Sequence, residues 1–62
     1  MKKMDHLKYQ RDIRRLSDES LRYIIADAQQ AMQAMPENPN NGYYADEINY
    51  CGSEIYRRKQ QR

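Results

Sequence analysis

Few side chains in this 62-residue chain are of a kind that could do chemistry. His6 stands beside Asp5, with no second His or Cys at metal-ligand spacing, so no ligand set is expected. Cys51 is the single cysteine. It falls on an apolar seam, which suits a small buried residue better than an exposed nucleophile. No Ser–His–acid arrangement or carboxylate pair can be assembled, and no glycine-rich phosphate loop is present. The expectation is therefore a protein without catalytic residues, cofactor or metal, and not an enzyme.

Two other groups carry more signal. All six aromatic residues are tyrosines, at 9, 23, 43, 44, 50 and 56. Tyrosine joins an apolar ring to a polar tip, which fits the rim of a core or an interface. Tyr44 lies in register with the apolar seam of the last helix. Tyr23, Tyr50 and Tyr56 lie off the main stripes and are candidates for a partner surface, together with the mid-helix Gly52, where another helix could approach closely. The second group is basic. Residues 1–17 hold six Lys/Arg against two Asp, net +4, and residues 55–62 hold four Lys/Arg and no acid. Residues 18–54 hold one Arg against seven acids, net −6. Folding into a hairpin is expected to bring the two basic termini to the same end, so Lys8, Arg11, Arg14, Arg15, Arg57, Arg58 and Lys59 are candidates for phosphate contacts. Bases in a last helical turn also simply complement the helix dipole.

The elements that would position these residues are helices. Ser17 is a good N-cap, and Leu16 and Leu21 flank it at the spacing of a hydrophobic staple. Asp18 and Glu19 favour the first turn. Asp18 and Arg22 are at ion-pair spacing. Leu21, Ile24, Ile25, Ala28, Ala31, Met32 and Met35 then recur at a helical period, and Pro36 ends the helix. The connection PENPNNG is rich in turn residues. A last helix starts near Tyr43, capped by Asn41, with Tyr44, Ile48, Cys51 and Ile55 as its seam and Glu54–Arg58 as an i,i+4 pair. A shorter helix, about 5–15, precedes the central one, capped by Asp5. The predicted fold is all-α: an antiparallel helical hairpin (about 17–35 and 43–60) with a short N-terminal helix, in one small domain, frayed at 1–4 and 60–62. A continuous first and second helix is the alternative.

A helix-turn-helix reader of DNA is disfavoured. The supposed reading helix, 18–35, carries Asp18, Glu19 and Asp27 against Arg22 alone, the wrong sign beside phosphates. No run of apolar residues approaches bilayer length, and the basic N-terminus lacks an apolar segment behind it, so a cytoplasmic protein is expected. Three Leu, five Ile and no Val, Phe or Trp make a thin core. A chain this short buries only about 60% of its unfolded surface. Without disulfide or metal, association is the remaining stabiliser, and a homodimer is expected.

The segments SDESLRYIIADAQQAMQAMPENP and GYYADEINYCGSEIYRR, from about Ser17 to Arg58, resemble the short proteins encoded in the early region of lambdoid bacteriophages, between the exonuclease and excisionase genes. The resemblance implies a small helical accessory protein of the bacterial host cytoplasm. Such proteins are linked to the lysis–lysogeny decision and to host physiology. It carries over no functional residues. The partner it implies is an unidentified host or phage protein.

Overall fold

A computed structural model describes residues 3–61. Met1, Lys2 and Arg62, placed among the frayed ends by the sequence, lie outside the described residues. The described chain is all-helical: α1 (His6–Ile13), α2 (Asp18–Ala34) and α3 (Asn41–Gln60). Helices α2 and α3 form the antiparallel hairpin and share most of the tertiary contact, while α1 rests on α3 more lightly.

Each boundary has a local cause. The Asp5 carboxylate accepts from the Lys8 N–H at 3.1 Å and starts α1. The chain breaks from helix at Arg14–Leu16, so α1 and α2 are separate. Ser17 then caps α2, its hydroxyl accepting from the Ser20 N–H at 3.1 Å. That satisfies one donor the first turn leaves unpaired. Helix α2 ends at Ala34, before the Met35–Pro36 bond.

The start of α3 differs from expectation. It begins at Asn41, two residues before Tyr43, and the cap position is Asn40, without a side-chain capping bond. Asn41 is inside the helix. Its Nδ2 reaches back to the carbonyls of Met35 (3.1 Å) and Pro36 (2.8 Å). It ties the end of α2 to the start of α3, so the turn is shorter than PENPNNG suggests.

The core lies between the hairpin and α1. Ile13, Leu21 and Cys51 are its buried centre, with Tyr9, Leu16, Ile24, Ile25, Tyr50 and Ile55 packed around them. Ala28 is buried further along α2. Leu16 and Leu21 both join this cluster, as the staple spacing predicts. Two large apolar side chains stay well outside it. Met35 is 59% exposed at the turn and Leu7 83% exposed on the outer side of α1.

Candidate interaction surfaces

Hydrogen bonds fix the direction of α1. His6 reaches Tyr50, Tyr9 reaches Glu47 and Cys51, and the carbonyls of Ile13 and Arg14 reach Arg58. Along His6–Tyr50, Tyr9–Cys51 and Ile13–Arg58 both numbers rise, so α1 runs parallel to α3 and antiparallel to α2. The expectation that the two chain termini share one end is therefore corrected. The C-terminal ends of α1 and α3 meet instead, beside the start of α2. Arg14 and Arg15 come together there with Arg57, Arg58 and Lys59. Lys8 sits away from them, lining a shallow groove with Asp5, Tyr9, Asp12 and Tyr43.

Arg58 is the most engaged side chain at that end. Its Nε donates to Glu54 Oε2 at 2.8 Å and its Nη1 to Asp18 Oδ1 at 2.6 Å. Its Nη2 donates to the carbonyls of Leu16 (2.7 Å), Arg14 (3.2 Å) and Ile13 (3.4 Å). These carbonyls lie at and just beyond the end of α1, where backbone acceptors lack helical partners. One guanidinium thus joins all three helices. The assignment of Arg58 to a phosphate-binding set is corrected, because its donors are turned inward. Arg57 is half committed: its Nε and Nη2 meet the two Glu54 oxygens at 3.0 and 2.7 Å. Lys8, Arg11, Arg14, Arg15 and Lys59 have exposed side chains.

Glu54 is only 5% exposed. Its hydrogen bonds to Arg57, and then to Arg58, hold its carboxyl at about 2 against the opposing effect of burial. The expected Glu54–Arg58 pair is present, but as part of a three-residue cluster in which Arg57 and Arg58 both hold the buried carboxylate. The signal was in the spacing: Cys51, Glu54, Ile55 and Arg58 follow the i, i+3, i+4, i+7 pattern that places all four on the core side.

The tyrosines divide. Tyr50, expected on a free partner surface, is half-buried in the α1–α3 seam. Its ring packs edge-on against His6 and tilted against Tyr9, with centroids 5.7 and 6.0 Å apart. Its hydroxyl shares a 2.8 Å hydrogen bond with His6 Nδ1. The same bond engages His6, whose side chain is otherwise exposed. Tyr9 donates to Glu47 at 2.8 Å and lies 3.7 Å from Cys51 Sγ. Burial and these two neighbours push its phenol well above the ordinary range. Burial likewise pushes the Cys51 thiol up. Tyr23 (73% exposed) and Tyr56 (65%) do face outward. A Cβ built on Gly52 would meet nothing within 4 Å, so no helix of the same chain approaches it closely. Helix α3 passes through it unbroken.

Concave features are slight. The cleft between α1 and α3, lined by Gln10, Ile13, Arg14, Tyr50, Ser53, Glu54 and Arg57, has a volume of about 130 Å³. That is below the range of about 300–1,000 Å³ in which small-molecule sites fall. A larger hollow, about 480 Å³, is cupped by the turn residues 34–39 alone and carries no convergent ionisable groups beyond Glu37. Among the described residues, no group of three His, Cys, Asp or Glu is placed to hold a metal ion. None of the described helices is long and apolar enough to cross a membrane. Comparison with protein-family models, with curated proteins and with solved structures gives no match.

Proposed function

We propose that this chain is a non-enzymatic regulatory protein that works by binding other proteins, of the kind encoded in the early region of lambdoid phages. It would act in the host cytoplasm on a host or phage partner, and influence the lysis–lysogeny decision or host physiology. The observation that carries this is the outward placement of Tyr23 and Tyr56 on a scaffold whose α1–α3 cleft, at about 130 Å³, falls below the range of small-molecule sites. Exposed aromatic rings are the side chains most often found as anchors at protein interfaces. Neither ring is needed by the core, so both can be removed without unfolding the chain. Capture from host lysate with wild type and with a Tyr23→Ala/Tyr56→Ala variant tests this. The expected result is a partner held by wild type and lost by the variant. Identical captured sets would remove the tyrosines from the binding surface.

A second reading is favoured by one observation, the meeting of the α1 and α3 C-terminal ends. Arg11, Arg14, Arg15 and Lys59, with Arg57 in part, would then contact nucleic-acid phosphates without reading bases. Mobility shifts at two salt concentrations decide it. Binding that weakens steeply with salt supports it, and no shift at low salt eliminates it.

A further inference from the structure

Helix α1 has a face that the core does not use. Its inward side is made by His6, Tyr9 and Ile13, which meet α3 and the buried cluster. At about 100° per residue, Leu7, Arg11 and Arg14 lie within about 60° of one another on the side turned away. Arg14 is the C-cap and keeps right-handed helical dihedrals, φ −64° and ψ −20°, so the line runs through it. Asp12 is about 140° round from Leu7 and so stands off the line. Arg14 borders the α1–α3 cleft and Lys8 the shallow groove on the other flank, leaving Leu7 and Arg11 on the crest between them.

Two properties of this face are unused within the described chain. Leu7, at 83%, is the most exposed of its large apolar side chains. The side chains of Lys8, Arg11 and Arg14 make no hydrogen bond or ion pair among the described residues. They differ in this from Arg57 and Arg58, whose donors are held by Glu54, Asp18 and backbone carbonyls. One bare leucine is thus set in a row of unpaired cations, on a helix that the fold holds by its other side.

We propose that this face of α1 docks on an acidic protein segment, with Leu7 entering an apolar pocket and Arg11 and Arg14 pairing with carboxylates at its rim. The proposal rests on the protein-interaction reading above and adds the chemistry of one partner. Leucine and cations together select that partner. Nucleic-acid phosphates would engage the arginines and leave Leu7 in water. A bilayer would receive one leucine, far less apolar surface than a single acyl chain, which itself anchors only marginally. A protein groove with a carboxylate rim uses both: the leucine fills the groove, and the guanidiniums make paired, charge-assisted hydrogen bonds that also steer the encounter. Contacts at i, i+4 and i+7 are those of a helix laid in a groove. Eight residues span about 12 Å, so the contact is small and micromolar affinity is expected.

Fluorescence anisotropy tests this with three labelled probes: a synthetic amphipathic helix whose leucine stripe is flanked by glutamates, the same peptide with serine for each leucine, and a DNA duplex. Co-sedimentation with phosphatidylserine vesicles is the fourth arm. Wild type is expected to bind the leucine–glutamate helix in the micromolar range and the serine peptide about tenfold more weakly or worse. The Leu7 side chain already faces water, so Leu7→Ser should keep the helical circular dichroism and lose about tenfold in affinity for the leucine probe. Arg11→Gln/Arg14→Gln should lose as much, together with most of the salt dependence. No binding of the leucine probe, undiminished binding by Leu7→Ser, or equal binding of the two peptides would overturn the proposal. Tighter binding of the duplex or the vesicles than of the leucine probe would overturn it too, and assign the face to phosphates. The Tyr23→Ala/Tyr56→Ala variant should bind the leucine probe as wild type does, so failure of the tyrosine surface in lysate and failure of this face are separate results.

Discussion

Glu54 is a buried carboxylate in a chain with little apolar mass to spare, and its protonation is coupled to folding. Unfolded, a glutamate titrates near about 4.3. Folded, Glu54 is held at about 2. A depressed folded value means that its contribution to stability is complete above the unfolded value and lost as pH falls toward the folded one. The urea midpoint should therefore drop between about pH 4.5 and 2, and Glu54→Gln should be less stable at neutral pH with a flatter profile in that window. A variant as pH-sensitive as wild type would assign the acid transition to other carboxylates. Tyr9 behaves in the opposite sense. Its raised phenol stays protonated and keeps donating to Glu47. Tyr9→Phe leaves the ring in place and removes that donor. The expected loss is about 1 kcal/mol, read by chemical denaturation at neutral pH. Cys51 is fully buried with its thiol pushed up, so it should react with thiol reagents only as fast as the core opens.

At the scale of the elements, local signals and long-range contacts had different fates. The start of α2 was legible because Ser17, Leu16 and the acidic first turn all act within one turn of each other. Replacing the Ser17 hydroxyl in Ser17→Ala should cost about 1 kcal/mol, measured by thermal or urea unfolding. The start of α3 was misplaced because the residue that settles it, Asn41, bonds backward across the turn rather than forward into its own helix. The hairpin followed from periodicity and the proline stop. The direction of α1 did not, since it is set by side chains such as Tyr9, His6 and Arg58 whose partners lie about forty residues away in the chain. Of the candidate sites, the exposure of Tyr23 and Tyr56 could be read from their positions off the stripes. Tyr50 could not, because it packs against α1 rather than α2, and the sequence stripes describe only the α2–α3 contact. Arg58 was hidden for a related reason. A basic residue in a last helical turn has an ordinary dipole role, and nothing local marks it as the cap of a different helix.

For the molecule as a whole, the buried apolar residues among those described are Ile13, Leu21, Ala28 and Cys51. At about 0.05–0.15 kcal/mol per residue, a chain of this length is worth roughly 3–9 kcal/mol in total. Leu21 has no exposed surface and sits at the centre of the cluster that joins all three helices. Leu21→Ala should remove about 2–5 kcal/mol, which is most of the lower estimate. The consequence depends on whether the homodimer expected from the sequence forms and contributes to stability. In a folded monomer the variant's melting temperature is independent of concentration. In a dimer each tenfold rise in chain concentration favours the folded state by about 1.4 kcal/mol. Leu21→Ala should then be largely unfolded when dilute and regain helical signal as it is concentrated. Circular dichroism of the variant across the micromolar range would show it, and concentration-independent melts would leave the thin core standing on its own.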